Sequence, residues 1–250
     1  MDKQPYILET KGLSIGYQSG RKKEVLFSKL NLCAEEGKLI CLLGENGIGK
    51  TTLLRTLANL QLALAGTILI NNDNLKHLNA HEIARKISLV LTQSPHGINF
   101  TVKELVSLGR FPYTSWSGKL QEHDLQKVEE AMEMCEIIDY GNKNIYQVSD
   151  GQFQKALIAR ALAQDCPLMI LDEPTVHLDA NNRYIIMKLL KRIASENNKT
   201  IIMSTHQISM AAALADIIWL AKPSNELLTA TPEKLLHDNV LQTIFPFVKY

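Results

Sequence analysis

The chain has 250 residues, 46% hydrophobic and 21% charged, a globular composition long enough to bury a sizeable core in one or two domains. Twenty-seven Lys and Arg stand against 26 Asp and Glu, so the formal net charge is +1 and there is no electrostatic case for a general nucleic-acid or membrane-surface binder. The four cysteines, Cys33, Cys41, Cys135 and Cys166, are too widely spaced for a zinc-type pair and read as free thiols in a reducing compartment.

The opening MDKQPYILETK lacks a basic segment followed by an apolar one, so no secretory signal is expected. Apolar runs such as Leu39–Leu43 and Ala211–Ala215 fall far short of the ~20 residues a bilayer-crossing helix needs. A membrane role would have to come through a partner.

In chain order, ILETKGLSIGYQ and KEVLFSKLNLCAEEGK read as antiparallel strands joined by the basic turn SGRKK (19–23), a separate β layer. KLICLLG (38–44) is a continuously apolar strand stopped by glycine, leading into a glycine loop and an apolar-periodic helix from Thr51 to Leu60. Further strands are expected at GTILIN (66–71) and ISLVLT (87–92). From about 98 to 165 helices take over: Thr101-Val-Lys-Glu104 is a capping box, LQEHDLQKVEEAMEMCEII (120–138) is amphipathic, and Ser149 caps a helix from Gly151 to Ala163. PLMILD (167–172), TIIMST (200–205) and DIIWLA (216–221) return to strands, and only 38–43 and 168–171 are expected to be fully buried. Strands alternating with helices predict an α/β fold: a core of mainly parallel sheet, with an antiparallel β layer and a helical subdomain. One domain, 1–250, would then comprise a core of 1–97 and 166–250 around a helical segment of about 98–165.

The chemistry concentrates in GENGIGKTT (44–52), which fits G-x-x-x-x-G-K-[ST] between a buried strand and a helix. In that context Gly44, Glu45, Asn46, Gly47, Ile48 and Gly49 present backbone N–H groups to phosphate oxygens, with Thr52 closing the motif. Lys50 adds a point charge, and Thr51 can set its hydroxyl on Mg²⁺. LMILDEP (168–174) places Asp172 and Glu173 after a strand, one carboxylate for the metal and one to polarise an attacking water. Alone, an Asp-Glu pair there is more often a solvated strand end; with the glycine loop it signals a hydrolase.

These motifs resemble, in order and across nearly the whole chain, the nucleotide-binding subunit of an ATP-binding cassette (ABC) transporter. The resemblance implies that Tyr17 stacks on adenine, Gly44 to Thr52 form the Walker A loop, and Gln93 after LVLT touches Mg²⁺ and senses the membrane partner. It implies that Ser149, Gly151 and Gln152 of VSDGQ (148–152) form the signature contacting ATP on the opposite subunit. Asp172 and Glu173 match Walker B and its catalytic glutamate, Asp179 of HLD (177–179) the D-loop, and His206 of MSTH the switch histidine at the γ-phosphate. Taken singly, Tyr17 is a strand aromatic, Gln93 carries almost no information, Asp179 is a helix cap and His206 a surface or core histidine. Order and spacing raise them together.

The signature departs from L-S-G-G-Q at Val148, a bland exchange, and at Asp150, a carboxylate that would repel phosphate unless it points outward or caps its helix. TVKELVSLGRFPYTSW (101–116) resembles the segment found in subunits of iron-siderophore, haem or cobalamin importers. Its Phe111, Tyr113 and Trp116 are either packing anchors or the lining of a groove for a partner's helix.

The expectation is a Mg-ATP hydrolase on the cytoplasmic face of the inner membrane. It would homodimerise head to tail and act on two transmembrane permease subunits, with a separate substrate-binding protein engaged indirectly. The rivals are a non-transport ABC protein working on ribosomes or DNA and a nucleotide-binding regulator. One cassette, no coiled-coil insert and balanced charge argue against nucleic acid as a partner, and intact Glu173 and His206 argue against a regulator.

Overall fold

The computed structural model of the chain describes residues 6–20, 22–91, 99–115 and 118–245. Strands β1 (Tyr6–Ser19), β2 (Lys22–Leu30) and β3 (Cys33–Glu35) precede β4 (Leu39–Leu43) and the helix α1 (Lys50–Leu57). There follow β5 (Ala65–Ile70), β6 (Asp73–Asn74), α2 (Ala80–Ala84) and β7 (Ile87–Val90). Helices α3 (Val102–Ser107), α4 (Glu122–Met134) and α5 (Asp150–Ala163) come next, joined by short 3₁₀ turns. The remaining elements are β8 (Leu168–Leu171), α6 (Ala180–Glu196), β9 (Thr200–Ser204), α7 (Ile208–Leu214), β10 (Ile217–Ala221), β11 (Leu227–Ala230), α8 (Pro232–His237) and α9 (Val240–Ile244).

The strands divide between two sheets. One runs β11-β10-β4-β9-β8-β7, parallel throughout except for β11, which pairs antiparallel with β10 at the edge. The other runs β2-β1-β5-β6 with β3 also on β1, and all its pairings are antiparallel. Strand 66–71 therefore lies in the antiparallel layer, its Leu69 opposite Glu9 of β1, rather than continuing the parallel core.

Period-two alternation explains how the parallel sheet is covered on both faces. Leu39, Cys41, Leu43, Met169, Leu171, Ile201, Met203, Ile218 and Leu220 turn to the core beneath α3 to α7. Ile40, Leu42, Leu168, Ile170, Ile202 and Trp219 turn the other way, onto α1 and the antiparallel layer through Leu13, Ile15, Phe27 and Ile70. Full burial extends beyond the two runs expected from the sequence, because β9, wedged between β4 and β8, is buried at every position. Its polar ends escape notice in a hydropathy reading yet are satisfied internally: the Thr200 hydroxyl donates to the Glu35 carbonyl and the Ser204 hydroxyl to Asp172. Cys41, Cys135 and Cys166 are buried and free, each thiol pushed up to about 12 chiefly by burial, whereas Cys33 is exposed.

All the parallel strands end on the same edge, so the residues after β4, β8 and β9 converge there. The helical side is pinned by one buried ion pair. Arg110 Nε lies 3.0 Å from Asp124 Oδ1, with the two side chains 3% and 7% exposed, while Arg110 Nη1 donates to the Ala163 carbonyl of α5 at 2.8 Å. Asp124 also accepts from the Gln121 amide, and that bond, followed by the Arg110 contact, holds its carboxyl below the usual carboxylate range. Stability from this depressed value is present above the unfolded pKa of about 3.9 and is lost as pH falls through the folded value. Replacing Arg110 with Met strands the Asp124 carboxylate, and urea denaturation should show a loss of about 3–5 kcal/mol. A loss below about 1 kcal/mol would mean that the pair is dispensable.

Candidate functional site

The glycine loop leaves β4 and turns into α1. Gly44, Gly47 and Gly49 have φ of 155°, 77° and 109°, values a side chain rarely adopts. Gly49, the N-cap of α1, is also crowded: a Cβ there would stand 3.1 Å from Leu26 Cδ1 and 3.2 Å from Phe27 Cε2, so a side chain would have to push these β2 residues aside as well as adopt the strained φ. Lys50, 6% exposed, folds back and donates to the carbonyls of Gly44 and Glu45, both at 2.9 Å. Burial lowers its pKa, opposed by the charges of Glu173 and Asp172. An ammonium has three donors, so one N–H remains for an oxygen outside the loop.

Two carboxylates face this loop from β8. Thr51 Oγ1 donates to Asp172 Oδ1 at 3.1 Å, placing a hydroxyl and a carboxylate together as the hard-oxygen pair Mg²⁺ prefers. Among the described residues no group of three or more His, Cys, Asp or Glu forms a metal cage. That fits an ion which takes the rest of its shell from phosphate and water. Glu173 follows, its Oε1 2.5 Å from Nε2 of His206 across from β9. Lys50, Thr51, Asp172, Glu173 and His206 thus form one polar cluster at the strand ends.

The other sequence-predicted residues occupy three positions around it. Tyr17 is 51% exposed on β1, and its hydroxyl meets Thr52 Oγ1 at 2.8 Å, so the ring stands over the start of α1. Ser149, Gly151 and Gln152 begin α5, where the Ser149 hydroxyl accepts from the Gln152 amide and Gln152 Oε1 from the Ser149 amide. They bond one another rather than Gly44–Thr52. Asp150 is exposed on the first helical turn. Asp179 caps α6, accepting from Asn182 N at 2.8 Å and Asn182 Nδ2 at 2.6 Å, and those bonds lower its pKa. Asn182 in turn approaches α5 so closely that a Cβ on Gly151 would come within 2.8 Å of its Oδ1. Gln93 and Trp116 lie outside the described residues.

Tyr113 takes the packing role of the two that the sequence leaves open. Its ring is held between two cations, Arg110 at 4.0 Å and Arg85 at 5.0 Å from the ring centre, while Phe111 beside it is 60% exposed. Of this pair Phe111 is free to meet a partner and Tyr113 is a post between α2 and the helical side.

Ser204, read from the sequence only as a letter of MSTH, ends β9 two positions before His206 and bonds Asp172 through its hydroxyl.

The comparisons with known proteins agree with this geometry. The family model described as ABC transporter matches residues 27–176. The chain is 34% identical over 232 residues to the petrobactin import ATP-binding protein YclP of Bacillus subtilis, spanning 93% of this chain and 90% of that protein. It is 33% identical over 239 residues to the iron(3+)-hydroxamate import ATP-binding protein FhuC of the same organism, spanning 95% and 87%. An ATP-binding cassette solved as a dimer in a post-hydrolysis state, bound to ADP and Pi, superposes with a TM-score of 0.75 at 28% identity, over 90% of this chain and 98% of that one. The chain has the ABC ATPase fold and belongs to the ABC transporter family, as one of its ATP-hydrolysing cassettes.

Proposed function

We propose that this cassette is the nucleotide-binding subunit of an importer for iron-siderophore complexes, hydrolysing Mg-ATP between two copies of itself. The observation that carries the reading is the Glu173–His206 contact of 2.5 Å beside Lys50, Thr51 and Asp172. In this reading Lys50 and the amides of Gly44 to Thr52 hold the phosphates, and Tyr17 stacks on the base. Thr51, Asp172 and Gln93 hold Mg²⁺, which when bound neutralises phosphate charge. Glu173 takes the proton of the attacking water; His206 orients Glu173 and reaches the γ-phosphate. Ser149, Gly151 and Gln152 complete the site on the partner copy, with Asp179 beside it. Residues 1–97 and 166–250 form the core and about 98–165 the helical part of a single domain.

No helix among the described residues is long and apolar enough to cross a membrane, so work on a membrane requires a docking surface. A groove of about 440 Å³ supports one: Leu60, Leu78, Ile83 and Leu89 line it with Arg160 and Gln164. Arg160 donates to the Leu89 carbonyl at 3.0 Å and Gln164 to the Ala84 carbonyl at 2.6 Å, so α5, which carries the signature, is tied to the strand end preceding Gln93. A cytoplasmic helix of each of two permease subunits laid here would move with α5. In this reading the cassette works peripherally on the cytoplasmic face, with a separate substrate-binding protein engaged only through the permeases.

Leu60 is 56% exposed on the groove rim. Leu60→Asp should leave the isolated subunit's ATPase within about twofold of wild type while permease co-purification and uptake fall about tenfold, the loss of one apolar anchor. Parallel loss in both assays would remove the groove from the docking role.

The names of the relatives, petrobactin and hydroxamate importers, favour iron-siderophore over haem or cobalamin as cargo. Uptake of labelled ferric siderophore, haem and cobalamin by the reconstituted transporter tests this; transport of haem or cobalamin alone would replace the cargo but not the ATPase.

A further inference from the structure

Glu173 has φ of 48°, the left-handed region, at a residue with a long charged side chain. Backbone held there is costly and persists only where the surroundings enforce it. The enforcing contact is on β9. Parallel register sets Leu171 beside Met203, so the next residues, Asp172 and Ser204, are neighbours at the strand ends. Ser204 is fully buried, and its hydroxyl does two things at once. It donates to Asp172 Oδ1 at 2.7 Å and accepts from the Glu173 backbone N–H at 2.8 Å. Asp172 Oδ1 is also the oxygen that meets Thr51. One hydroxyl therefore connects the carboxylate proposed for the metal to the backbone of the residue proposed as base, two residues from His206, which meets that base's side chain.

We infer that Ser204 is a positioning residue for hydrolysis, fixing the orientation of the Asp172 carboxylate toward Thr51 and holding Glu173 in its left-handed conformation so that its side chain meets His206. This rests on the proposed roles of Asp172 and Glu173. Without the hydroxyl, Glu173 loses the bond that restrains its φ and can relax toward the right-handed region, swinging its carboxylate away from His206. Asp172 is then free to rotate about its χ angles, with only Thr51 to orient it. A side-chain hydroxyl meets both demands because it donates and accepts through one atom, which neither alanine nor valine can do.

The test compares wild type with Ser204→Ala, Ser204→Thr, Glu173→Gln and the Ser204→Ala/Glu173→Gln double variant, each with its melting temperature. Loss of a group that orients a metal ligand typically costs about 10- to 100-fold, so Ser204→Ala should lower kcat by about tenfold or more with KM for ATP within about twofold. The Mg²⁺ concentration giving half-maximal binding of a fluorescent ATP analogue should rise about tenfold on the same grounds, and affinity in EDTA should not change. Ser204→Thr, which keeps the hydroxyl, should restore both readouts. In a single-turnover assay at saturating Mg²⁺ the double variant should be no slower than Glu173→Gln alone, because the effect of Ser204 on Glu173 is already lost there and excess Mg²⁺ offsets its effect on Asp172. Wild-type kcat and Mg²⁺ requirement in Ser204→Ala would overturn the inference. So would a fall in kcat that tracks a lowered melting temperature, with Mg²⁺ dependence unmoved and no rescue by Thr. Near wild-type turnover in Glu173→Gln would instead strike the assignment of the base, leaving the Mg²⁺ titration as the measure of Ser204 acting on Asp172.

Discussion

Glu173→Gln should bind ATP as wild type does and lose hydrolysis by about 10²- to 10⁴-fold, the range for removal of a general base. The exchange keeps shape and hydrogen-bonding capacity, so His206 still finds an oxygen at Glu173's position, now neutral and unable to take a proton. Asp172, Thr51 and Lys50 are untouched, and the nucleotide cradle should stay closed around ATP. Because hydrolysis would otherwise release the partner, ATP-bound dimer should accumulate and elute early on gel filtration. Turnover within a few-fold of wild type would remove Glu173 as the base, and the buried Asp172 would be the next carboxylate to examine. His206→Ala is the companion measurement: it deletes the group 2.5 Å from Glu173 and should lower kcat without abolishing ATP binding.

The strands leading to the proposed site were legible because both faces of the parallel sheet are covered, which turns β4 and β8 into unbroken apolar runs, each ending at residues proposed to act. The helix starts were legible from capping chemistry, and the reciprocal bonds at Thr101–Glu104 and Ser149–Gln152 are present. Strand β5 was legible as a strand but its sheet was not, because apolar content says nothing about which sheet a strand joins; pairing with β1 decides that. β9 was under-read because Thr200 and Ser204 lower its hydropathy, although each hydroxyl is bonded within the core. Tyr113 was ambiguous because the arginines that grip it come from α2's end and from its own 3₁₀ turn, 28 and 3 residues away in sequence. Ser204 shows the general limit: a positioning residue has no motif of its own, and only the register between β8 and β9 brings it against Asp172.

Mixing a Lys50→Ala subunit with a Ser149→Arg subunit should restore hydrolysis that neither has alone. The argument begins with what each residue touches within one chain. Lys50 is locked into the glycine loop by the Gly44 and Glu45 carbonyls, while Ser149 and Gln152 bond each other at the start of α5. Each half of the proposed site is thus ordered by its own local bonds and offers its remaining donors outward, Lys50 its third N–H and α5 its N-terminal turn. Arg at 149 places a bulky cation at the exposed start of the helix, so it blocks contact with a partner's nucleotide while sparing the loop that binds nucleotide in its own chain. A mixed dimer would then contain one site built from two intact halves and one built from two damaged halves. Each homodimer contains none that is whole. If the two sites act independently, ATPase in a mixture with confirmed heterodimer should approach about one quarter of wild type: random pairing makes half the dimers mixed, and each carries one of its two sites. Activity no higher than the separate variants would mean that the site does not combine halves from two chains, or that both sites must be intact for either to turn over. A disulfide-locked wild-type/Lys50→Ala heterodimer separates those outcomes, since it keeps one intact composite site and should retain about half of wild-type turnover only if the sites are independent.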